Sequence, residues 1–304
     1  MRRWRFLREA AMQAEKLENL LQRAESLLQK LEQGVQHWLP GPPPMVDFSA
    51  PAYRWRNRNG VCRLQPVTQP AVLRFEDLHA IAQQKQAIEQ NTAQFVAGRP
   101  ANNVLLTGAR GTGKSSLIKA CLQQFHAQGL RLIEVERAHL DDLPDIVELL
   151  AARSERFIIF CDDLSFEAGE PGYKALKVVL DGSIAGQAGN VLVYATSNRR
   201  HLLPENFSDN AGYSHSEDGD LHPAETVEEK IALSERFGLW LSFYAFNQDA
   251  YLDIVAYWMG EFGAKPGQVE AARADALRWA LQRGSRSGRV AQQFARDWAG
   301  RQPG

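Results

Sequence analysis

Residues 108–115 form the feature that most constrains the fold, an octapeptide in which three glycines are followed by a lysine and a serine. It reads Gly108-Ala109-Arg110-Gly111-Thr112-Gly113-Lys114-Ser115 and fits the spacing G-x-x-x-x-G-K-[ST] at every position. An apolar run at 103–107 precedes it, and a helical pattern begins at Ser116. Glycines in such a loop let backbone N–H groups turn toward phosphate oxygens. The sequence therefore predicts a buried strand, a phosphate-binding loop and a helix that begins at the phosphates.

Within this loop, two side chains have specific predicted roles. Lys114 would reach the β- and γ-phosphates, and the hydroxyl of Ser115 would hold Mg²⁺. Residues 108–115 and Ser116 together form the predicted nucleotide-binding set. The alternative is a chance glycine-rich turn, which the matching strand and helix on either side disfavour.

A second candidate site follows the apolar run 157–161, which ends in Asp162 and Asp163. At the carboxyl edge of a parallel sheet, Asp162 would lie beside the phosphate loop and bind Mg²⁺ through water. Asp163 would polarise the attacking water as a general base, with Glu167 as the alternative for that role. The other interpretation is an exposed Asp-Asp turn after a strand.

From about residue 71, apolar runs of strand length alternate with helical patterns. Strands are predicted at 103–107, 130–135, 157–161, 191–195 and 239–243, and helices at 80–97, 142–153 and 172–181. This alternation predicts a three-layer α/β/α fold around a parallel, five-stranded sheet. Residues 247–300 have helical periodicity without a strand signal, which predicts a small all-helical lid, and 206–222 read as a mobile surface loop. The predicted domains are an N-terminal segment at 1–70, a nucleotide-binding core at 71–246 and the lid at 247–304.

The N-terminal segment begins with an amphipathic helix predicted at 5–38, in which leucines recur every three or four residues. The pattern is typical of a short coiled coil, of a helix that docks a protein partner, or of a helix packed on its own body. A proline-rich linker at 40–44 ends it. Residues 45–70 are predicted to be irregular or to form a small hairpin.

Charge and hydropathy bear on whether the chain binds nucleic acid or a membrane. The chain of 304 residues has 35 Lys and Arg against 36 Asp and Glu, so its charge does not indicate nucleic acid and leaves that question open. No apolar run is long enough to cross a bilayer, and the basic start at 1–5 lacks the apolar region of a signal peptide. These patterns predict a cytoplasmic protein without a membrane partner.

The order of these motifs resembles the AAA+ P-loop ATPases over about residues 71–300, which implies that ATP and Mg²⁺ are the cofactors. In that family the second motif usually ends Asp-Glu, whereas here it ends Asp162-Asp163. The segments 102–116, 160–167, 195–202 and 222–239 are also similar to a bacterial AAA+ family, domain-of-unknown-function family 815. One departure from that family is His79, near the start of the adenine pocket.

The resemblance implies roles for three further residues. Asn198 matches the sensor 1 position at a strand end, where it would contact the γ-phosphate. Arg236 matches the arginine finger that enters a neighbouring subunit's site, which implies a homo-oligomer. Arg289, preferred over Arg286, matches the sensor 2 arginine of the lid. The alternatives are an ordinary loop asparagine, an arginine in an ion pair and a solvated basic loop.

These expectations predict a Mg²⁺-dependent ATPase that couples ATP binding and hydrolysis to conformational change or to remodelling of a partner. An ATP-switched adaptor or loader with slow turnover is the alternative, and it would dock a protein partner through the N-terminal helix. A small-molecule kinase is disfavoured by the sensor-like motifs and by the helical C-terminus.

Overall fold

The computed structural model describes residues 20–30, 47–58, 61–166, 170–182, 188–198 and 233–302. Glu167, the loop predicted at 206–222 and most of the helix predicted at 5–38 lie outside these ranges. In the described part of the chain, no helix has both the length and the apolar character needed to span a bilayer.

One seven-stranded sheet organises the fold. Its strands are β1 (Ala52–Arg58), β2 (Val61–Val67), β3 (Val104–Gly108), β4 (Leu130–Val135), β5 (Arg156–Cys161), β6 (Val191–Ser197) and β7 (Leu239–Phe243). They lie in the order β2-β1-β4-β5-β6-β3-β7. Strands β3 to β7 are the five predicted from the sequence, and every pairing among them is parallel. The parallel arrangement places the loops that follow β3, β5 and β6 at one edge of the sheet.

The hairpin β1–β2 corrects the predicted strand count of five. Strand β1 pairs antiparallel with β2 and parallel with β4, so the hairpin extends the main sheet. Tyr53 and Trp55 are buried in the core, while Arg54 between them pairs with Glu134 of β4 at 2.7 Å. This alternation of aromatic and basic residues has the period of a strand. Because residues 52–67 share the sheet, we propose that the core begins near residue 47 rather than at residue 71.

Helices cover both faces of the sheet and form a separate cluster beyond it. The described helices of nine or more residues are α1 (20–30), α2 (Ala82–Val96), α3 (Lys114–Phe125), α4 (Leu143–Ala151), α5 (Pro171–Asp181), α6 (Gln248–Glu261), α7 (Pro266–Gln282) and α8 (Gly288–Gly300). Ile159 of β5 packs in the cluster that contains α4 and α5, whereas its neighbours Ile158 and Phe160 pack in the cluster that contains α2 and α3. Successive strand residues point to opposite faces, so the predicted α/β/α layering is confirmed.

Helices α6 to α8 pack on one another around their own apolar cluster, which includes Tyr251, Met259 and Phe294. Helix α6 begins after Asn247, whose side-chain oxygen accepts a hydrogen bond of 2.8 Å from the N–H of Ala250. We call α6 to α8 the helical lid. All residues of α1 are exposed, including Leu20 and Leu27, so this part of the N-terminal helix does not pack on the described body.

Candidate functional site

The loop between β3 and α3 has the close packing that requires glycine. Gly108 ends β3 with φ +123°, and a Cβ there would lie 1.9 Å from the carbonyl oxygen of Phe243 in β7. The N–H of Ala109 donates to that same oxygen at 3.0 Å. Farther along, the hydroxyl of Thr112 donates to the carbonyl of Ala109 at 2.8 Å and closes the loop. Helix α3 follows the loop as predicted and begins at Lys114, two residues before the predicted start at Ser116.

The end of the loop and the start of α3 contain a row of backbone N–H groups without acceptors in the described part of the chain. Within the described part of the chain, the N–H groups of residues 111–116 donate to no other group, and the first helical bond runs from Leu117 to Gly113. The N-terminus of a helix carries a partial positive charge and orphan N–H groups. This cradle fits a phosphate group.

Lys114 lies across the mouth of the loop with only 6% of its surface exposed. Its Nζ donates to the carbonyl oxygens of Gly108 and Ala109, each at 2.8 Å, and to Oδ1 of Asn198 at 3.0 Å. These contacts bring together the predicted loop lysine and the predicted sensor asparagine. These oxygens are neutral, and no described carboxylate forms an ion pair with the ammonium.

Asp162 contacts the phosphate loop although another strand lies between them in the sheet. Strand β6 lies between β3 and β5, so the end of β5 is two strands from the phosphate loop. Ser115 nevertheless donates from Oγ to Oδ1 of Asp162 at 2.6 Å, and Thr196 of β6 donates to the same oxygen at 2.6 Å. The two residues predicted to hold Mg²⁺ are therefore in direct contact.

This contact fits Mg²⁺, which binds proteins through one or two oxygen side chains and keeps water and phosphate oxygens as its other ligands. No group of three or more His, Cys, Asp or Glu side chains in the described ranges has the arrangement of a metal site. Ser115 and Asp162 would therefore supply the protein ligands of a metal that also needs the nucleotide.

Asp163 is held in an unusual backbone conformation beside Asp162. Its φ of +53° lies in the left-handed region, which Asp tolerates better than most residues. Its N–H donates to the Thr196 hydroxyl at 2.9 Å, and its Oδ1 accepts a hydrogen bond of 2.5 Å from Nδ2 of Asn198. Asn198 thus connects Asp163 to Lys114 and fixes the carboxylate against the loop. Backbone strain of this kind is concentrated at functional sites.

The helical lid contacts the phosphate loop directly. The N–H of Gly288, at the start of α8, donates to the carbonyl of Gly111 at 2.9 Å. The contact is close, because a Cβ on Gly111 would lie 2.8 Å from the side chain of Ser287. Arg289 lines the cavity above the loop, and Arg286 is not among its described lining residues. This placement favours Arg289 over Arg286, while its role stays a prediction.

Between the loop and the lid lies a cavity of about 510 Å³, a volume in the range of small-molecule sites. Its polar end contains residues 110–116, Asp162, Asp163 and Asn198. Its apolar end lies between the segment before α2 and helix α6 and is lined by Leu73, Leu78, His79, Ile81, Ile254 and Trp258. The cavity therefore suits a ligand with phosphates at one end and a flat ring at the other.

His79, in the apolar end, packs against Tyr257 of α6 with ring centroids 4.2 Å apart and the ring planes tilted by 50°. Its Nε2 is buried and has no hydrogen-bond partner within the described ranges. Burial holds the pKa of His79 below its ordinary value, and the nearby Lys85 acts in the same direction. The imidazole is therefore neutral near pH 7. Next to it, Tyr257 donates to Asp77 at 2.6 Å and ties the lid to the core.

Arg236 lies outside this cavity, since the described lining residues do not include it. Its Nε donates to Oδ1 of Asp181, the last residue of α5, at 2.6 Å. This is the ion pair that the sequence analysis gave as the alternative to the finger. A finger that acts on a neighbouring subunit does not need to line its own cavity, so that role stays a prediction.

Three polar residues of the site were missed by the sequence analysis: Thr196, Ser287 and Tyr257. Thr196 bonds both Asp162 and the backbone of Asp163, and its only sequence signal is a hydroxyl near the end of an apolar strand. Ser287 caps α8 by accepting a hydrogen bond from Val290 at 3.3 Å. Its signal is a serine directly before a helical pattern.

The comparisons with known proteins give the family and the fold. A family model described as "Protein of unknown function (DUF815)" matches residues 49–302. The structure of a point mutant of Thermotoga maritima RuvB is similar at a TM-score of 0.50 and 16% identity, over 74% of this chain and 63% of that chain. This chain thus spans less than two thirds of the RuvB chain. At such low identity, the likeness shows the fold alone.

Two other solved structures match with lower TM-scores. The FIGL-1 AAA domain in complex with ADP has a TM-score of 0.49 at 16% identity, over 76% of this chain and 74% of that chain. C. elegans PCH-2 has a TM-score of 0.47 at 16% identity, over 76% of this chain and 65% of that chain. No curated protein matches the sequence.

Proposed function

Since the chain belongs to the family described as "Protein of unknown function (DUF815)" and has the AAA+ P-loop fold, we propose that it is a Mg²⁺-dependent ATPase. One observation carries the proposal: Ser115 is hydrogen-bonded to Asp162 at 2.6 Å, beside a loop of unbonded N–H donors. A phosphate cradle next to a hydroxyl–carboxylate pair is the arrangement that a nucleotide–magnesium complex requires.

The two ends of the cavity support an assignment of the parts of ATP. The N–H groups of residues 111–116 and Lys114 would hold the β- and γ-phosphates. The apolar end, with His79 and Trp258, would take the nucleobase. An aromatic or apolar surface suits a flat heterocycle. Beside it, the buried Nε2 of His79 has no hydrogen-bond partner among the described residues and could bond a nucleobase.

Hydrolysis would proceed by in-line attack of water on the γ-phosphate. Bound Mg²⁺ would neutralise charge on the β- and γ-oxygens. One oxygen of the Asp163 carboxylate is held by Asn198, and among the described residues the other oxygen has no hydrogen-bond partner. It can therefore accept a proton from, or orient, the attacking water. Asn198 would hold both this carboxylate and Lys114 in place.

The output of the reaction would be a movement of the helical lid. The start of α8 touches the phosphate loop through Gly288 and Gly111, so a ligand in the loop acts directly on the lid. Arg289 would close onto the phosphates, and Arg236 of a neighbouring subunit would complete the charge stabilisation. We therefore propose a homo-oligomer. The buried free thiols Cys121 and Cys161 fit a reducing compartment, and we propose the cytoplasm.

Phosphate release, measured over a range of protein concentrations, tests this function. An ATPase with its finger in trans is expected to show a rate per chain that rises with protein concentration, because the site is completed by assembly. Turnover near the uncatalysed rate at every concentration, with ATP binding intact, would reject the ATPase in favour of the switched adaptor.

The adaptor has one observation in its favour. Helix α1 exposes four leucines, each with more than half of its surface accessible: Leu20, Leu21, Leu27 and Leu28. An apolar helix face of this kind is typical of a docking segment. In the adaptor, the nucleotide state would control whether a protein partner binds to this segment.

Arg236→Ala is expected to bind ATP like the parent protein and to lose the concentration-dependent part of the ATPase, about 10³-fold or more for an arginine finger. The matched control is Asp181→Asn, which removes the described ion pair and keeps the guanidinium. If Arg236 is a finger, Asp181→Asn retains activity. Equal losses in the two variants, with assembly intact, would instead assign Arg236 a structural role.

A further inference from the structure

Arg110 is an exposed arginine inside the phosphate loop, at the third position of the octapeptide. Arg110 lines the same cavity as Lys114, Ser115 and Asp162. Across the described ranges, its guanidinium forms no hydrogen bond and no ion pair. In contrast, Arg236 outside the cavity is paired with a carboxylate. A fixed cation in a ligand cavity without a protein partner is available to an anionic ligand.

The acids of the site do not take up this charge. Asp162 is bonded by Ser115 and Thr196, and Asp163 is bonded by Asn198. The geometry of the loop also keeps Arg110 near Lys114. Burial lowers the pKa of the Lys114 ammonium, Asp163 and Asp162 oppose this effect, and the positive charge of Arg110 adds to it. Two cations that repel one another on one cavity wall are stabilised when a polyanion binds between them.

We propose that Arg110 donates, within its own subunit, to the terminal phosphate of a bound nucleoside triphosphate. This inference rests on the proposed function. The planar guanidinium presents two parallel N–H donors in a fixed geometry and can hold two oxygens of one phosphate, whereas a lysine ammonium acts as a point charge. Lys114 and the loop N–H groups would hold the β-phosphate, which ATP and ADP share, as well as the γ-phosphate, whereas Arg110 would hold only the γ-phosphate, which ADP lacks. Arg110 thereby raises the preference of the site for the triphosphate within one subunit, before any neighbour supplies Arg236.

Calorimetric titration with ADP and with a non-hydrolysable ATP analogue, AMP-PNP, tests this assignment in the full chain with Mg²⁺. The wild type is expected to bind AMP-PNP more tightly than ADP. Arg110→Ala is expected to reduce that preference by about tenfold or more, the usual weight of a hydrogen bond to a charged group, and to change ADP affinity by less than about twofold. Arg110→Lys, which keeps a point charge, is expected to fall between the two.

The matched control is Arg99→Ala, which removes an exposed arginine outside the cavity and is expected to leave both affinities unchanged. Because the contact is made within one subunit, the preference should not depend on protein concentration. Wild-type binding of both nucleotides, together with an unchanged preference in Arg110→Ala, overturns this inference alone. A wild type that binds neither nucleotide overturns the proposed function and this inference together.

Discussion

Lys114→Ala is expected to lose more than about a hundredfold in affinity for ATP and for ADP. The substitution would remove the cation of a buried, hydrogen-bonded pair between Lys114 and a bound phosphate, and such a loss costs about 3 kcal/mol or more. Lys114 is almost fully buried, and its Nζ lies at hydrogen-bond distance from two loop carbonyls and Asn198. No other described lysine lines the cavity, so none can replace it. Calorimetric titration of the two nucleotides measures the loss.

Lys119→Ala is the matched control for this experiment. Lys119 lies on the same helix α3 but does not line the cavity, so its removal is expected to leave both affinities unchanged. Circular dichroism would establish that both variants fold. If folded Lys114→Ala binds ATP as the parent does, the assignment of the phosphate loop is wrong.

Asp163→Asn is expected to bind ATP normally and to hydrolyse it about 10²- to 10⁴-fold more slowly, the usual contribution of a general base. The substitution preserves the size of the side chain and removes its ability to accept a proton. It also suits the backbone, since Asn tolerates the left-handed conformation that residue 163 adopts at φ +53°. The amide oxygen can still accept the hydrogen bond from Asn198. Single-turnover hydrolysis of ATP, at saturating protein, measures the chemical step.

The control is Asp145→Asn, which changes an exposed carboxylate at the start of α4, outside the cavity. It is expected to hydrolyse ATP at the parental rate. If Asp163→Asn also hydrolyses ATP at the parental rate, and the parent is active, then Asp163 does not orient the attacking water. Glu167 then becomes the candidate for that role. The two outcomes separate the assignments that the Asp-Asp ending leaves open.

The strands of the core were predictable because each is a short, almost continuous apolar run, as burial on both faces requires. Residues 157–161 are the clearest case, and the structure places them in β5 with every one of them buried. The hairpin β1–β2 was not assigned as part of the sheet, because Arg54 and Arg56 interrupt its aromatic residues. Arg54 pairs with Glu134 in β4, and Arg56 pairs with Glu136 just after β4. The sequence does not show that β4 is the strand beside β1.

The site was predictable in its parts and not in its connections. The octapeptide predicted the loop, and the Asp-Asp ending predicted acids at the same edge of the sheet. That Asn198 connects Lys114 to Asp163 depends on β6 lying between β3 and β5, which strand order alone determines. The contact of Gly288 with Gly111 likewise depends on how the lid packs. Motif spacing contains no information about either arrangement.

Titration of the wild-type protein with ATP, in the presence and absence of Mg²⁺, tests the central claim most directly. The arrangement of the loop, Ser115 and Asp162 predicts saturable binding of one ATP per chain, tighter with Mg²⁺ than without it, and displacement of ATP by ADP. Folded protein that binds no ATP at millimolar concentration, with or without Mg²⁺, would contradict the account.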